Sequence, residues 1–252
     1  MSGERLLRLV LILAGCFAIT WGIVTLPSFW HALPVEQVSA EILAGVPYSP
    51  QSLAVLQPAI DSFDSDNGNC EPKALRAAAV VALHLMEQSF TPNDLPVLDQ
   101  RIDATRTAVR RSLACAPADP FLWMVLYSIE TTRNGFKPEY LDFIRQSYRL
   151  GPHEGWIEVK RNRVVIGIFS VLPPDIAEMA VAEFAELVQN RLYEQALDII
   201  LGPGWPIRDR LIARLASIED HERTEFAIRL YTLGVNLSVP GVEAPGQRPW
   251  SQ

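Results

Sequence analysis

Apolar residues recur along most of this chain at three- and four-residue spacings, and no segment alternates convincingly with the two-residue period of a strand. The pattern therefore predicts helices, with proline and glycine as the punctuation between them. Pro72 opens an alanine-rich helix with Leu75, Ala79, Leu83 and Met86 along one stripe. Asn93 or Asp94 caps the next, which carries Leu98, Ile102, Thr105, Val109 and Leu113 on one face. Its other face holds Arg101, Arg106, Arg110 and Arg111 with Asp99 and Asp103, and reads as a solvated, charge-mixed surface, with a phosphate or polysaccharide contact as the alternative. Asp119 and Pro120 begin a helix with Phe121, Leu122, Val125, Leu126 and Ile129 inward, and Asn134-Gly135 ends it. Pro138 starts its partner, which buries Leu141, Ile144, Tyr148 and Leu150 and stops at Gly151-Pro152. Helices follow over 153–172, 192–201, 206–218 and 219–233. Between the first two, Asp175 caps a helix with Ile176, Met179, Ala180, Phe184, Leu187 and Val188 inward and Glu178, Glu183 and Glu186 mostly outward. Upstream, the pattern gives a short helix over 35–44 and another from Ser49 to Phe63, kinked or broken at Pro58. Residues 236–252 lack any period and read as an extended or disordered tail.

The N-terminal stretch differs from all of these. Residues 6–26 are apolar on every side, and as a helix they rise roughly 31 Å, about one bilayer hydrocarbon core. Arg5 and Arg8 flank the start, and no Lys or Arg follows until Lys73. That asymmetry places the N-terminus in the cytoplasm and the remainder outside. A cleaved signal peptide is the competing reading, with Val38-Ser39-Ala40 as its small-residue site, although this lies well past the apolar run. Both readings export the rest of the chain. The resulting plan is an anchor over 1–30, a helical linker region over 31–71, a helical domain over 72–235 and the tail.

Composition adds exclusions. A formal charge of −7 with 22 basic and 29 acidic residues argues against nucleic acid as a partner. Of three cysteines, Cys16 lies in the apolar stretch, whereas Cys70 precedes the helix opened by Pro72 and Cys115 ends the helix after it. In an antiparallel pair those two points meet, so an exported chain is expected to join Cys70 and Cys115 in a disulfide; two buried free thiols are the alternative.

No reaction declares itself. His31, His84, His153 and His221 form neither a metalloprotease pair nor a zinc spacing, and nucleophile-elbow, phosphate-loop and dinucleotide motifs are lacking. Asp64-Ser65-Asp66-Asn67-Gly68-Asn69 superficially suggests a calcium loop, but the glycine and the closing glutamate fall in the wrong places, and a plain loop is expected. No catalytic residue, cofactor site or metal site is assigned. The densest polar feature surrounds Trp156, Glu158, Arg161 and Asn162. It reads as a tryptophan packed at a joint beside solvated charges; the functional alternative is a concave patch that binds a partner peptide or acidic sugar.

Pro117 and Trp123, with Leu126 and the similar joints Ala116-Pro117 and Gly151-Pro152, resemble a degenerate tetratricopeptide-like repeat over roughly 72–172. Tyr127 and Glu130 depart from that motif. The resemblance implies stacked helical hairpins, so the expected fold is all-α: the transmembrane helix read from the apolar stretch, followed by a tetratricopeptide-like soluble domain. The whole chain also resembles uncharacterised bacterial single-pass inner-membrane proteins with a helical periplasmic domain. That resemblance implies a non-enzymatic interaction or scaffold module of the envelope, with a protein partner and a link to polysaccharide production. An enzyme acting on envelope glycans, with carboxylates set across a helical cleft, is the alternative.

Overall fold

The computed structural model describes residues 3–65, 70–90 and 95–243; every regular element is helical, and no strand occurs among the described residues. The chain divides into two compact units, Met1–Ala118 with Val125–Pro138, and Asp119–Met124 with Glu139–Gln252.

The first unit contains α1 (Gly3–Leu43), α2 (Pro50–Ala54), α3 (Gln57–Ser65), α4 (Pro72–Glu87), α5 (Leu95–Cys115) and most of α6 (Pro120–Asn134). The separate helix expected over 35–44 is the end of α1, which continues through Pro34. The helix expected from Ser49 to Phe63 breaks at Val55-Leu56, so that Pro58 falls in the first turn of α3, where a missing N–H costs nothing. Ser49 does cap, its side chain accepting from the Ser52 N–H at 3.2 Å. In α4, Ala74, Ala77, Ala78 and Ala79 are buried, and their small side chains let α1 and α5 pack closely on either side. Val35, Leu53, Val81 and Leu85 form a core with Val38, Ile42, Leu56 and Phe63 against it, so the stretch read as a linker is part of the packing. Thr105, buried on α5, donates to the Ala82 carbonyl at 3.0 Å.

The remaining half of α1 is different. Leu7, Leu11, Ile12, Phe17, Ile19 and Ile23 are all more than half exposed, and their spacing distributes them around the helix. Among the described residues no helix is long and apolar enough to cross a membrane. The span expected over 6–26 includes residues 6 and 24–26, whose side chains lie outside the described residues.

Cys70 and Cys115 are joined, with Cα atoms 5.4 Å apart, and the bond ties the start of α4 to the end of α5. The arginine face of α5 is the charge-mixed, partly solvated surface expected, with Arg110, Asp99 and Asp103 exposed, and its arginines also reach acceptors on neighbouring helices. Arg106 donates through Nε (2.8 Å) and Arg110 through Nη2 (2.6 Å) to the same carboxylate oxygen of Glu130, which is buried on α6; Asn134 Nδ2 donates to the other oxygen at 3.0 Å. Arg111 donates to the Phe63 carbonyl at the end of α3. These arginines serve the fold because α6 and α3 present acceptors that need cations. The expected cap at Asn93 or Asp94 and positions 66–69 of the polar turn lie outside the described residues.

The second unit is built on α9 (Pro174–Gln189), whose inward face buries Ile176, Ala177, Ala180, Val181, Phe184, Leu187 and Val188. Around it lie α8 (Gly155–Gly167), α10 (Tyr193–Leu201), α11 (Arg208–Arg214) and α12 (Asp220–Thr232), with α7 (Leu141–Leu150) in the same unit. Phe184 of α9 meets Phe226 of α12 edge-on at 6.1 Å. The expected helix over 153–172 ends at Gly167 and gives way to a 3₁₀ turn over Phe169–Val171. Pro173, not Asp175, stands at the N-cap of α9, with Pro174 at N1 as the rigid opening. Residues 235–243 are non-helical, and the rest of the expected tail, 244–252, lies outside the described residues.

Two expectations follow. Reducing the Cys70–Cys115 bond, which spans 45 positions, should lower unfolding stability by about 2–4 kcal/mol in denaturant titration; an unchanged midpoint would show that the bond constrains nothing. Against the desolvation that burial brings, Arg106 and Arg110 hold the Glu130 carboxyl below its ordinary value of 4.5. Its contribution to stability is therefore present above that value and lost as pH falls through the lower folded one. Melting temperatures between pH 7 and pH 3 should fall less steeply in Glu130→Gln than in the parent, and parallel curves would contradict this assignment.

Candidate functional site

The second unit carries a chain of buried polar groups along the seam between α8 and α9. The two helices run antiparallel, with Glu158, Arg161 and Asn162 on α8 facing Glu186, Glu183 and Ala180 on α9. Arg161 has no exposed surface, and Glu183 is only 3% exposed. Arg161 donates to Glu183 Oε1 through Nε at 2.8 Å and Nη2 at 2.5 Å. Its Nη1 reaches the Ser147 carbonyl at 2.8 Å, and Nη2 reaches the Gly151 carbonyl at 3.0 Å. The guanidinium also lies over the Tyr148 ring at 4.1 Å. Tyr148 donates its hydroxyl to Glu183 Oε2 at 2.9 Å, and Asn162 Nδ2 donates to the Ala180 carbonyl at 2.7 Å and to Glu183 Oε2 at 3.3 Å. A buried ion pair survives only when its remaining donors and acceptors are occupied, and the backbone of the turn after α7 supplies that occupancy.

Gly151 makes the turn fit. A Cβ at this position would lie 2.6 Å from Pro120 Cγ and 2.8 Å from Pro120 Cβ. The carbonyl that Arg161 uses is therefore held where no larger residue could stand. Ser147 adds a second tie, donating its hydroxyl to the Pro120 carbonyl at 2.7 Å.

A shallow groove of about 380 Å³ opens beside this seam. Tyr148, His153 and Glu183 contribute to its lining, and Arg145, Arg149, Asp175 and Glu186 supply its charges. Arg145 pairs with Asp175 at 2.8 Å and with Asp142 at 2.7 Å, and holds Asp175 below the usual carboxylate range. Burial pushes the Glu183 carboxyl up to about 7, against the pull of its donors Arg161, Tyr148 and Asn162. Burial, and then the Glu183 charge, raise the Tyr148 hydroxyl.

The four residues singled out in sequence have separate fates. Glu158, Arg161 and Asn162 are buried, so the charges expected to be solvated beside Trp156 lie in the interior. The correction has a simple cause: α9 lies against that face of α8 and brings Glu183 with it. Trp156 alone of the four is open to a partner, at 41% exposed, and its ring packs 5.0 Å from that of Phe121. Glu183, expected outward, is the centre of the network. Sequence also assigned no metal set, whereas His153, Glu158 and Glu186 offer ligand atoms that all lie within 4.8 Å of one another. The five-residue step from His153 to Glu158 is visible in sequence; the approach of Glu186 depends on the register of α8 against α9. No protein-family model, curated protein or solved structure matches the chain.

The Gly151→Ala substitution tests whether the turn fixes the network. It should destabilise the fold by about 1–3 kcal/mol, the usual cost of overpacking, and speed amide exchange at the end of α7. A neutral effect would mean that Pro120 yields freely and that the turn does not hold Arg161.

Proposed function

We propose that the protein is a membrane-anchored, non-enzymatic interaction module of the bacterial cell envelope. In this reading the N-terminus is cytoplasmic, one span crosses the inner membrane, and the helical units engage a protein partner in the periplasm. The work served is assembly or export of an envelope polysaccharide or an envelope complex.

The observation that carries the reading is the division within α1. Its C-terminal part buries Ala32, Val35 and Ser39, whereas the apolar side chains described over 7–23 are bare. A helix apolar on every side requires an apolar surrounding, and a bilayer supplies one. In sequence the run continues to Leu26, enough for a span. The Cys70–Cys115 bond supports an oxidising compartment. The shallow, charge-mixed groove supports binding, because Asp175 and Glu183 are already engaged by arginines. Exposed Trp156, in the stretch with the tetratricopeptide-like joints, is the contact residue of this proposal. A glycan-acting enzyme is the second reading, favoured by the raised carboxyls of Glu158 and Glu183 beside the groove.

The test places a photo-crosslinking residue at Trp156 in the full chain, expressed in a bacterial membrane. The protein should resist alkaline extraction, be digested by protease added outside the inner membrane, and crosslink to one protein. Extraction into the soluble fraction would overturn the anchor. Glycan cleavage by the purified chain, lost in Glu158→Gln or Glu183→Gln, would favour the enzyme instead.

A further inference from the structure

Four glutamates are buried among the described residues: Glu130, Glu158, Glu183 and Glu222. Three are met by cations and neutral donors. Glu130 has Arg106, Arg110 and Asn134; Glu183 has Arg161, Tyr148 and Asn162; Glu222 accepts from Arg191 Nε at 3.1 Å and from the Tyr193 hydroxyl. Glu158 is the exception. It is 1% exposed, and its Oε2 has no hydrogen-bond partner.

The seam explains what is missing. At one turn, Arg161 faces Glu183 and opposite charges meet. One turn away, Glu158 faces Glu186, and two carboxylates meet with no arginine between them. His153, in the turn before α8, closes the group, with Nδ1 3.4 Å from Glu186 Oε2. We propose that His153, Glu158 and Glu186 bind a divalent transition-metal cation, of which Zn²⁺ is the best fit. One imidazole nitrogen and two carboxylate oxygens match its ligand preferences, and three protein ligands leave a coordination position open.

The geometry is close to that required. Ligand atoms around tetrahedral Zn²⁺ lie about 3.4 Å apart for bonds of roughly 2.1 Å, against a spread here of up to 4.8 Å. His153 is exposed and Glu186 partly so, which leaves both side chains room to change rotamer around an ion. Glu158 is fixed from behind by the packed seam and serves as the rigid ligand. The open position belongs to water or to an oxygen ligand offered at the groove. The site stands on α8, α9 and the turn before them, and is independent of whether the groove receives a protein partner.

The test uses the full chain, solubilised in detergent and stripped with chelator, titrated with Zn²⁺ by calorimetry and with Co²⁺ by visible absorption. The expected result is one ion per chain, Co²⁺ bands of low coordination number, and a rise in melting temperature on adding Zn²⁺. His153→Ala and Glu186→Gln should each weaken binding by at least about tenfold, since even outer-shell partners of metal ligands are worth that much. Glu158→Gln should abolish the Zn²⁺-dependent rise in melting temperature while leaving the metal-free protein folded. His221→Ala, remote in sequence and outside the cluster, should bind as the parent does. Weak binding without stoichiometry, or binding unchanged in both His153→Ala and Glu186→Gln, would identify an adventitious ion only and overturn the site.

Discussion

A carboxylate withdrawn from water must be given charge and hydrogen bonds by the protein, and much of this chain's internal organisation answers that demand. Glu183 draws Arg161 wholly into the interior, and Arg161 in turn requires the carbonyls of Ser147 and Gly151. The turn between α7 and α8 is therefore set by an ion pair as much as by apolar packing. Ser147 extends the constraint to Pro120, and Gly151 must lack a side chain for Pro120 to approach. Glu130 plays the same part in the first unit, drawing two arginines of α5 onto α6. Such pairs contribute little net stability over apolar isosteres, but once one partner is present the other cannot be removed cheaply.

Around these fixed points the packing is ordinary for helices. Alanines on α4 admit α1 and α5, the disulfide secures one end of the α4–α5 pair, and α9 collects its neighbours around Phe184. The departure is α1, which is core at one end and bare at the other. That division underlies the envelope reading: the chain is expected to bury the first half in lipid and the second in itself.

The helices were largely legible because their apolar spacing survives single exceptions. Ile102, Thr105, Val109 and Leu113 were expected inward and are buried, and so are Phe121, Leu122, Ile129 and Phe184. The meeting of Cys70 and Cys115 was also legible, because antiparallel order alone brings their helix ends together. The polar interior was not. Glu183 and Arg161 look like surface residues on their own helices, and only the register of α8 against α9 pairs them. The same blindness hid Glu186 beside Glu158, since helix periodicity says which face a residue occupies but not what lies opposite. Asp175 was misread for a different reason: it suits an N-cap, but Pro173 and Pro174 fix the start of α9 upstream, which leaves Asp175 to Arg145.

The claim that the α8–α9 seam is held by a mutually dependent ion pair is tested most directly by a double-mutant cycle on Arg161→Met and Glu183→Gln, measured by chemical unfolding of the full chain. Each single change should be costly and the double change much less so than their sum, giving a coupling of about 2–3 kcal/mol. Additive losses would show that the two residues act independently and would contradict the account.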